Sequence, residues 1–570
     1  MRKLSILKHF ATSNTVWGIL ALCYFNLFVM HYYIMLTGSV DDEANFTKYI
    51  DNILGITIDI FTLFILFYYC CLKRLKPTLI ATFSTTLLWS FCNVLYSRFF
   101  HHYISLSAIS QSHSLFDDLI IQCCISEIRW TDIYYLIVIL LFTYIINKPL
   151  QIKQPIKQSI IILSLIIGID FLSYCLYCSL SPERRYFSFL VNRIEARHFS
   201  LSLHLVGPNV SSFRRGNIRT LAYEAALNLK QFRQLTEEQK RLIKKEINLT
   251  KKNISSESIE TKNIIFIIVE SYMSFVSDMR INDKEVTPFL NSLKTDSSVY
   301  YNGKMNSNVT IGESSDGQFI YMTGLLPLRS VVTISKARKA TLPALPKLLN
   351  KKSLMIIPTV EDMWRQDEMC RQYGFCTLFT SKDYHDGYHS ILTDKQLIEL
   401  AIQKNSIIEL PTFSVILTMS MHQPYYKQID STFHINNEIK NRKDLTCYLN
   451  ACHYTDLQLK QYFDFLKKNG LYDTSLIIIA ADHPVLCTDF GGVDKHIPLY
   501  IINAKGIPQN IWKGECNQID VFPTILDMLG IESDWYGLGC SLLSPNYTNS
   551  IPSRKWDISE WIIMGDYFKQ

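Results

Sequence analysis

The first third of this chain of 570 residues contains five long apolar stretches, which constrain its fold more than any other feature. A helix that crosses a bilayer needs roughly 20 residues, and most of the stretches reach that length. The fourth is shorter and can span only if the residues that flank it lie at the membrane interfaces. The sequence therefore predicts five transmembrane helices, at about residues 15–35, 53–72, 78–96, 133–146 and 159–180.

Basic residues alternate along these stretches and predict their orientation. Three basic groups fall before the first stretch, after the second and between the fourth and fifth: Arg2, Lys3 and Lys8; Lys73, Arg74 and Lys76; Lys148, Lys153 and Lys157. The loops between these groups carry fewer basic residues. Because cytoplasmic loops are enriched in Lys and Arg, the N-terminus is predicted inside and the chain after Leu180 outside. No cleavage site follows the first stretch, so we expect it to remain as an anchor.

Composition excludes two other classes of protein. The chain is 48% hydrophobic and 19% charged, which is too apolar for a disordered protein. The net charge of +6 is small and dispersed, so it does not form the basic surface that nucleic-acid binding requires. A soluble protein with apolar core helices remains as an alternative, but five long runs bounded by alternating basic groups argue against it.

After residue 180 the composition becomes that of a soluble protein. A charged, helix-compatible stretch at residues 221–248 predicts a connector, which we place at residues 181–262. From residue 263 onward, short runs of Ile, Val and Leu alternate with helical patterns. This alternation is typical of an α/β domain with a mostly parallel sheet, which we place at residues 263–570.

Polar side chains follow two of the predicted buried strands. Glu270 comes directly after the run at residues 263–269, and Asp482 and His483 follow the run at residues 476–480. In open α/β sheets, ligands bind at the carboxyl ends of the strands. Two carboxylates and an imidazole at one edge would suit Zn²⁺ or Mn²⁺. Each residue alone is also typical of a helix cap.

A glycine and two hydroxyls precede a predicted helix between these strands. Ser314 and Ser315 follow Gly312 and Glu313. A hydroxyl at a helix N-terminus lies in positive potential, and a bound cation would lower its pKa further, so either serine could attack phosphorus. A capping cluster explains the same residues equally well.

Five further residues are candidates for substrate binding. His422 follows the predicted strand at residues 413–418, and His496 precedes the one at residues 497–502. Trp364, Arg365 and Gln366 offer an aromatic face, a guanidinium and an amide to a phosphate-bearing head group. A buried aromatic, an exposed charge and structural histidines are the alternatives.

Seven segments, taken in order, carry a family resemblance. They are NIIFIIVESY, GESSDGQF, MWRQDEM, TMSMHQPY, YTDLQLKQYFDFLKKNGLYDTSLIIIAADH, KHIPLYII and QIDVFPTILDMLGI. As a set they resemble the alkaline phosphatase and sulfatase superfamily. Within it they resemble the membrane-anchored lipoteichoic acid synthase and phosphoglycerol transferase branch, and they are also similar to phosphoethanolamine transferases. The resemblance covers roughly residues 263–543 together with the membrane part.

The resemblance implies roles for the residues at these motifs. Glu270, Ser314, Asp482 and His483 would be ligands of a divalent metal ion, and Ser314 would also be the nucleophile that becomes phosphorylated. Family members often have threonine there, within a GKTSDAE-like pattern that aligns with Ser314, and serine keeps the hydroxyl. The implied fold is a five-helix transmembrane bundle followed by a sulfatase-like α/β domain.

The implied activity is transfer of a phospholipid head group, phosphoglycerol or phosphoethanolamine, to an envelope glycan or lipid. Lipoteichoic acid synthases have an arginine two places after the tryptophan, where this chain has Gln366. His496 resembles a zinc-site histidine of phosphoethanolamine transferases. The implied location is the bacterial inner membrane, with several spans and an extracytoplasmic catalytic domain.

Two rival functions use the same residues. A hydrolase of the same superfamily would pass the group to water. A sulfatase is disfavoured, because its motif requires Cys or Ser followed by x-Pro-x-Arg and residues 314–318 have neither the proline nor the arginine. An inactive binding scaffold would have no reason to keep Glu270, Ser314, Asp482 and His483 together.

Overall fold

The computed structural model divides the chain into two compact units, residues 1–229 and 230–570. The structure describes residues 2–37, 46–100, 103–106, 128–148, 211–213, 216–229, 234–251, 259, 261, 263–329, 331–385, 391–405, 412–422, 443–485, 490, 492–504 and 511–569. The predicted boundary at residue 180 lies outside these ranges. The division into membrane part, connector and catalytic domain therefore stays a prediction.

The first unit is helical over its described residues. Its helices are α1 (Arg2–Thr37), α2 (Phe46–Cys70), α3 (Leu75–Phe100), α4 (Ile133–Ile146) and α5 (Asn217–Leu229), with a 3-10 turn at Trp130–Asp132 before α4. Helix α1 packs against α2, α3 and α4. Apolar side chains such as Ile19, Leu27, Ile56 and Phe83 are buried between them. The four described apolar runs that suggested membrane spans thus pack against one another.

Three described helices are long and apolar enough to cross a membrane: Thr15–Met35, Asn52–Cys70 and Leu75–Arg98. Trp130–Ile146 is a shorter apolar helix. The fifth predicted span, residues 159–180, lies outside the described residues, so the count of five stays a prediction. The apolar N-terminal helices themselves fit the predicted membrane segment.

Two acidic side chains of this unit are paired. Arg98 donates to both carboxylate oxygens of Asp132 at 2.7 and 2.6 Å. Asp59, in α2, accepts the backbone N–H groups of Ile218 and Arg219 at 3.0 and 3.1 Å and so caps the start of α5. Such pairing is required where no water can satisfy polar groups. Helix α5, which we predicted within a connector, is therefore part of the first unit.

The second unit is built on an eight-stranded sheet. Its order is β10-β4-β9-β8-β1-β7-β5-β6. The strands are β1 (Asn263–Val269), β4 (Val299–Asn306), β5 (Lys352–Ile356), β6 (Thr377–Phe379), β7 (Thr412–Leu417), β8 (Ser475–Ala481), β9 (Ile497–Ile502) and β10 (Cys516–Asn517). Strand β9 is antiparallel to both of its neighbours, and the other described pairs of this sheet are parallel. The prediction of a mostly parallel sheet is confirmed. A small antiparallel hairpin pairs β2 (Arg280–Ile281) with β3 (Lys284–Glu285).

Helices pack around this sheet. They are α6 (Glu237–Lys251), α7 (Pro288–Lys294), α8 (Ser314–Thr323), α9 (Ile334–Ala337), α10 (Leu345–Leu348), α11 (Gln366–Tyr373), α12 (Asp394–Asn405), α13 (Lys443–Lys468), α14 (Val521–Met528) and α15 (Ser553–Gly565). Short 3-10 turns lie at Ser274–Val276, Met363–Arg365, Ser381–Asp383, Gln518–Asp520 and Tyr567–Lys569. Every residue of β1, β8 and β9 is buried. A strand buried on both faces reads as a continuous apolar run, which is why the sequence identified these strands.

Candidate active site

Strands β1 and β8 end side by side, and their register sets the site. They pair in parallel up to Val269 and Ala481, so Glu270 and Asp482 follow at the same edge of the sheet. One ligand atom from each of Glu270, Asp482 and His483 lies within 4.8 Å of the others. All three side chains are at least 94% buried. Residues 212 positions apart in sequence thus form one cluster.

Ser314 joins this cluster from helix α8. Its Oγ donates to Glu270 Oε2 at 3.1 Å and lies 3.0 Å from His483 Nε2. Ser314 is the first residue of α8, so the positive end of the helix dipole is directed at the hydroxyl. All four predicted metal ligands are therefore brought together.

The two neighbouring serines point to different places. Ser315 is buried, and its Oγ donates to the carbonyl of Gly312 at 2.6 Å. Asp316 accepts the N–H groups of Thr310 and Gly312, each at 3.0 Å, which fixes the loop that presents the helix start. The hydroxyl of Ser315 thus bonds to the loop before the helix, whereas the hydroxyl of Ser314 contacts the cluster.

Glycine at position 317 allows α8 to approach β8 closely. A Cβ atom there would lie 2.4 Å from the carbonyl oxygen of Asp482. Contacts under about 3 Å do not occur for real Cβ atoms, so any other residue would push the helix away. The spacing between Ser314 and the strand ends therefore depends on Gly317.

A second layer of groups holds the ligands, and our sequence reasoning did not assign them this role. Ser271 donates through its N–H to Asp482 Oδ1 and through its hydroxyl to Glu270 Oε1, each at 2.8 Å. Gln518 Nε2 donates to the carbonyl of Asp482 at 2.6 Å. Outer partners of this kind orient metal ligands. Both residues lie within motifs that carry the resemblance, which was the signal available in the sequence.

Histidine 483 has its two ring nitrogens in different roles. Nδ1 lies 2.8 Å from the carbonyl of Pro484, which can only accept, so Nδ1 carries a proton and donates. Nε2 faces the cluster, 3.8 Å from Glu270 Oε1 and 3.6 Å from Asp482 Oδ2. Nε2 is thus the ring atom placed to act as a ligand.

The cluster carries an excess of negative charge. Burial, and then the Glu270 carboxylate, raises the pKa of Asp482 from 3.8 to about 7. Burial alone would lower the pKa of His483, but Asp482, Glu270 and Glu313 outweigh it and raise that pKa to about 9. Burial also raises the pKa of Glu313 to about 7. Negative charges brought together in a buried site favour the binding of a proton or a cation.

The donor set fits a divalent cation. Two carboxylates, one imidazole nitrogen and one hydroxyl supply four donor atoms of the kinds that Zn²⁺ and Mn²⁺ accept. The cluster is buried and its ligand atoms lie close enough to share one ion. These four side chains therefore fit the predicted divalent metal ion. Their donor atoms are compatible with both Zn²⁺ and Mn²⁺.

A small cavity, partly open to solvent, adjoins the cluster. Its described lining residues are Ile268, Glu270, Glu313, Ser314, Ser315, Ile357, Pro358, Thr359, Trp364, Gln366, Leu417, Thr418, Met419, His422 and Asp482. Three of the five predicted substrate-binding residues, Trp364, Gln366 and His422, thus line the cavity beside Ser314.

Arg365 and His496 are not among the described lining residues of this cavity. The guanidinium of Arg365 pairs instead with Glu368 at 2.8 Å. His496 precedes the reversed strand β9, so it lies near the ends of the parallel strands, but its Nδ1 pairs with Asp494 at 2.5 Å. Because neither residue is among the described cavity-lining residues, the roles of Arg365 and His496 in substrate binding stay predictions.

Comparison with known proteins identifies the class to which this fold and site belong. Residues 262–531 match the sulfatase family. The second unit therefore contains a sulfatase domain, as the sequence motifs predicted.

Two curated relatives of the chain are lipoteichoic acid synthases. Lipoteichoic acid synthase 2 of Bacillus subtilis is 26% identical over 496 residues, which cover 82% of this chain and 74% of the relative. Lipoteichoic acid synthase of Staphylococcus saprophyticus is 25% identical over 508 residues, covering 82% and 75%. These relatives are enzymes, and they confirm the predicted superfamily and enzyme class.

One solved structure is similar along nearly the whole chain. The integral membrane protein lipooligosaccharide phosphoethanolamine transferase A from Neisseria meningitidis has a TM-score of 0.54 and 13% identity. The match covers 92% of this chain and 98% of that one. At this identity the similarity concerns the fold alone.

Proposed function

We propose that this protein is a membrane-anchored transferase that moves a phosphoryl head group from a phospholipid to a hydroxyl of an envelope glycan or lipid. The observation that carries the proposal is the position of Ser314 Oγ, 3.1 Å from Glu270 Oε2 and 3.0 Å from His483 Nε2, beside a cavity that opens to solvent. A nucleophile, charged partners and space for a substrate therefore lie together.

The proposed reaction has two displacements at phosphorus. Ser314 Oγ attacks the phosphodiester while its proton moves toward Glu270, a new O–P bond forms, and the P–O bond to diacylglycerol breaks as the leaving oxygen takes up that proton. An acceptor hydroxyl then attacks the phosphoserine and gives its proton to Glu270, which returns it to Ser314 Oγ as the serine is released. Two inversions give overall retention at phosphorus. His422, at the cavity wall, is proposed to steady the phosphate or the leaving oxygen.

Glu270, Ser314, Asp482 and His483 would hold the divalent ion in this proposal. The ion would supply Lewis acidity that lowers the pKa of the serine hydroxyl and offsets charge on the phosphoryl oxygens. The chain itself supplies the orientation, because Ser271 and Gln518 hold the carboxylate and strand end in place.

The proposed location is the bacterial inner membrane, with several spans, a cytoplasmic N-terminus and the sulfatase domain outside. The three apolar helices and the membrane-protein fold neighbour support an anchored enzyme. An anchor raises the effective concentration of a lipid donor near the catalytic domain. Protease added to intact spheroplasts is expected to cleave within residues 230–570 and to spare the N-terminus.

Trapping the phosphorylated enzyme tests the proposed function. Full-length protein incubated with a lipid extract, then digested and analysed by mass spectrometry, is expected to carry a phosphoryl adduct on Ser314. Ser314→Ala should lose the adduct and at least about 10⁴-fold in transfer, as removal of other enzyme nucleophiles does.

Ser315→Ala is the matched control, because it removes a hydroxyl one residue away. It should keep the adduct and lose only about 1 kcal/mol of stability with its bond to Gly312. Transfer that persists in Ser314→Ala would refute the nucleophile. Release of the head group to water when acceptor is present would instead favour the hydrolase.

A further inference from the structure

Helix α6, near the start of the sheet unit, has one buried side and one exposed side. Ile243 and Thr250 are buried, and Glu246 pairs with Lys555 of α15 at 3.9 Å. The two helices also pack against each other. One side of α6 is therefore held by the sheet unit, which leaves the opposite side open to solvent.

The exposed side of α6 is basic after its first turn. Arg241, Lys244 and Lys245 are exposed, and their spacing of three and four residues places them on one side of the helix. The exposed acidic residues of α6, Glu237 and Glu238, fall in the first turn, where the helix dipole favours negative charge. We call Arg241, Lys244 and Lys245 the basic face of α6.

Carboxylates do not neutralise the basic face within the described part of the chain. The ion pairs of α6 that the structure describes are Lys240 with Glu237, Lys251 with Asp534 and Glu246 with Lys555. None of these pairs includes a residue of the basic face. A helix side that is only solvated typically alternates acidic and basic residues. The basic face instead gathers three positive charges.

An apolar side chain borders the basic face. Leu249 follows Lys245 by about one turn and is 46% exposed. Helices that lie on a bilayer surface combine Lys and Arg, which meet the head groups, with apolar side chains that enter the head-group boundary. The combination of Leu249 with the basic face therefore fits a lipid surface better than water alone.

The position of α6 in the chain places it close to a membrane anchor. Only residues 230–236 lie between the end of α5 and the start of α6. Helix α5 belongs to the unit that contains the three helices long and apolar enough to cross a membrane. Basic segments that follow an anchor closely are attracted to anionic lipids, because they lie within the negative surface potential of the bilayer. A bilayer that contains anionic phospholipid is therefore the negatively charged surface nearest to α6 along the chain.

We infer that the basic face of α6 binds the head groups of anionic phospholipids at the bilayer surface and so docks the sheet unit on the membrane. Its three positive charges meet lipid phosphates, and Leu249 enters the head-group boundary. None of these residues is among the described lining residues of the cavity beside Ser314. The docking does not depend on the proposed transfer reaction, so each proposal can fail without the other.

Chemical footprinting of lysines tests the docking. Full-length protein is placed in nanodiscs of phosphatidylcholine alone, or of equal parts phosphatidylcholine and phosphatidylglycerol, and is treated with a neutral acylating reagent. Mass spectrometry gives the acylation rate of each lysine. Lys244 and Lys245 are expected to react about fivefold more slowly in the anionic discs, because their ammonium groups bind lipid phosphates. Lys468, exposed on α13, should react equally in both discs, and high salt should remove the protection of the basic face.

Variants of the basic face should weaken docking while Lys244 remains as the reporter. Arg241→Gln combined with Lys245→Gln is expected to remove most of the protection of Lys244, since each basic residue near an anionic surface contributes about fivefold to binding. Lys284→Gln combined with Lys395→Gln is the matched control, because it removes two exposed lysines outside α6. The control should keep the protection, and thermal unfolding checks that each variant folds.

The outcomes distinguish lipid from other partners. Equal acylation rates of Lys244 in the two discs, or equal slowing at Lys468, would overturn the docking. Protection that appears in neutral discs only when soluble poly(glycerol phosphate) is added would also overturn it, and would assign the basic face to an anionic polymer. Ser314→Ala should keep the wild-type protection. Protection that persists when no adduct forms on Ser314 supports the docking even if the proposed function fails.

Discussion

The helical unit and the candidate active site of the sheet unit differ in how their buried charged groups are paired. In the helical unit, Arg98 and Asp132 form two hydrogen bonds with each other, and Asp59 accepts two N–H groups at the start of α5. In the sheet unit, Glu270 and Asp482 are buried in one cluster with His483. Charges that neutralise one another hold a fold together, whereas like charges gathered in one place need a further ion or substrate. Buried charge therefore identifies a site only where its pairing is incomplete.

Removal of divalent cations should show this difference most strongly. Chelation is expected to reduce transfer by about 10³-fold or more, because Lewis acidity contributes several kcal/mol to phosphoryl chemistry. It should also lower the melting temperature of the wild type, since an ion that binds only the folded state stabilises it. Asp482→Asn should lose activity, and chelation should no longer change its melting temperature.

Asp464→Asn provides the control for that experiment, because Asp464 is exposed and paired with Lys460 away from the cluster. It should respond to chelation as the wild type does. A wild-type melting temperature that is insensitive to chelation and to added Zn²⁺ or Mn²⁺ would contradict the metal site.

Breaking the ion pair of the helical unit should affect stability and spare chemistry. Arg98→Ala removes both guanidinium bonds from the partly buried Asp132, which keeps only the N–H of Arg129, and is expected to cost about 1.5–3 kcal/mol. Arg98→Leu with Asp132→Leu should recover most of that loss. Thermal unfolding in detergent measures both, and transfer per folded molecule should stay unchanged. A double variant as unstable as the single one would mean that the pair does more than neutralise charge.

A capping carboxylate within the sheet unit gives an effect that depends on pH. Asp456 accepts the N–H groups of Phe289 and Leu290 at 2.9 and 2.8 Å, and burial raises its pKa from 3.8 to about 7. Because the folded pKa lies above the unfolded one, this group favours folding fully below about pH 4 and loses that contribution as pH rises to 7. The loss is at most about 4 kcal/mol.

Asp456→Asn removes this titration while keeping an acceptor at the helix start. Melting curves from pH 4 to pH 8 should show the wild type losing stability relative to the variant as pH rises. Parallel curves for the two proteins would mean that the carboxyl group does not titrate in this range.

The strand ends could be predicted from sequence because a fully buried parallel strand is a continuous apolar run. The polar residues after β1 and β8 then had to meet at one edge, which the structure confirms for Glu270, Asp482 and His483. Choosing between Ser314 and Ser315 required the family pattern, since both precede the helix. The hydrogen bond of Ser315 to Gly312 supplies the physical reason for the difference.

Other features depend on backbone angles or distant contacts that composition does not reveal. The role of Arg365 in substrate binding stays a prediction; its guanidinium pairs with Glu368, and Trp364 and Arg365 both have left-handed backbone angles that the sequence did not predict. Helix α5 was expected in a connector, but its first turn is capped by Asp59, 158 positions earlier than Asn217 where the helix begins. The bonds of Ser271 and Gln518 likewise arise only when separate elements meet.

The close approach at Gly317 has a consequence for how this enzyme can change. Ser314 lies on α8, and Asp482 and His483 follow β8. The distance between these two elements is set at Gly317, where the absence of a side chain lets the main chain of α8 contact that of Asp482. Directed evolution toward new donors should tolerate substitutions at wall residues outside the cluster, such as Leu417 and Met419, and reject nearly all of them at Gly317.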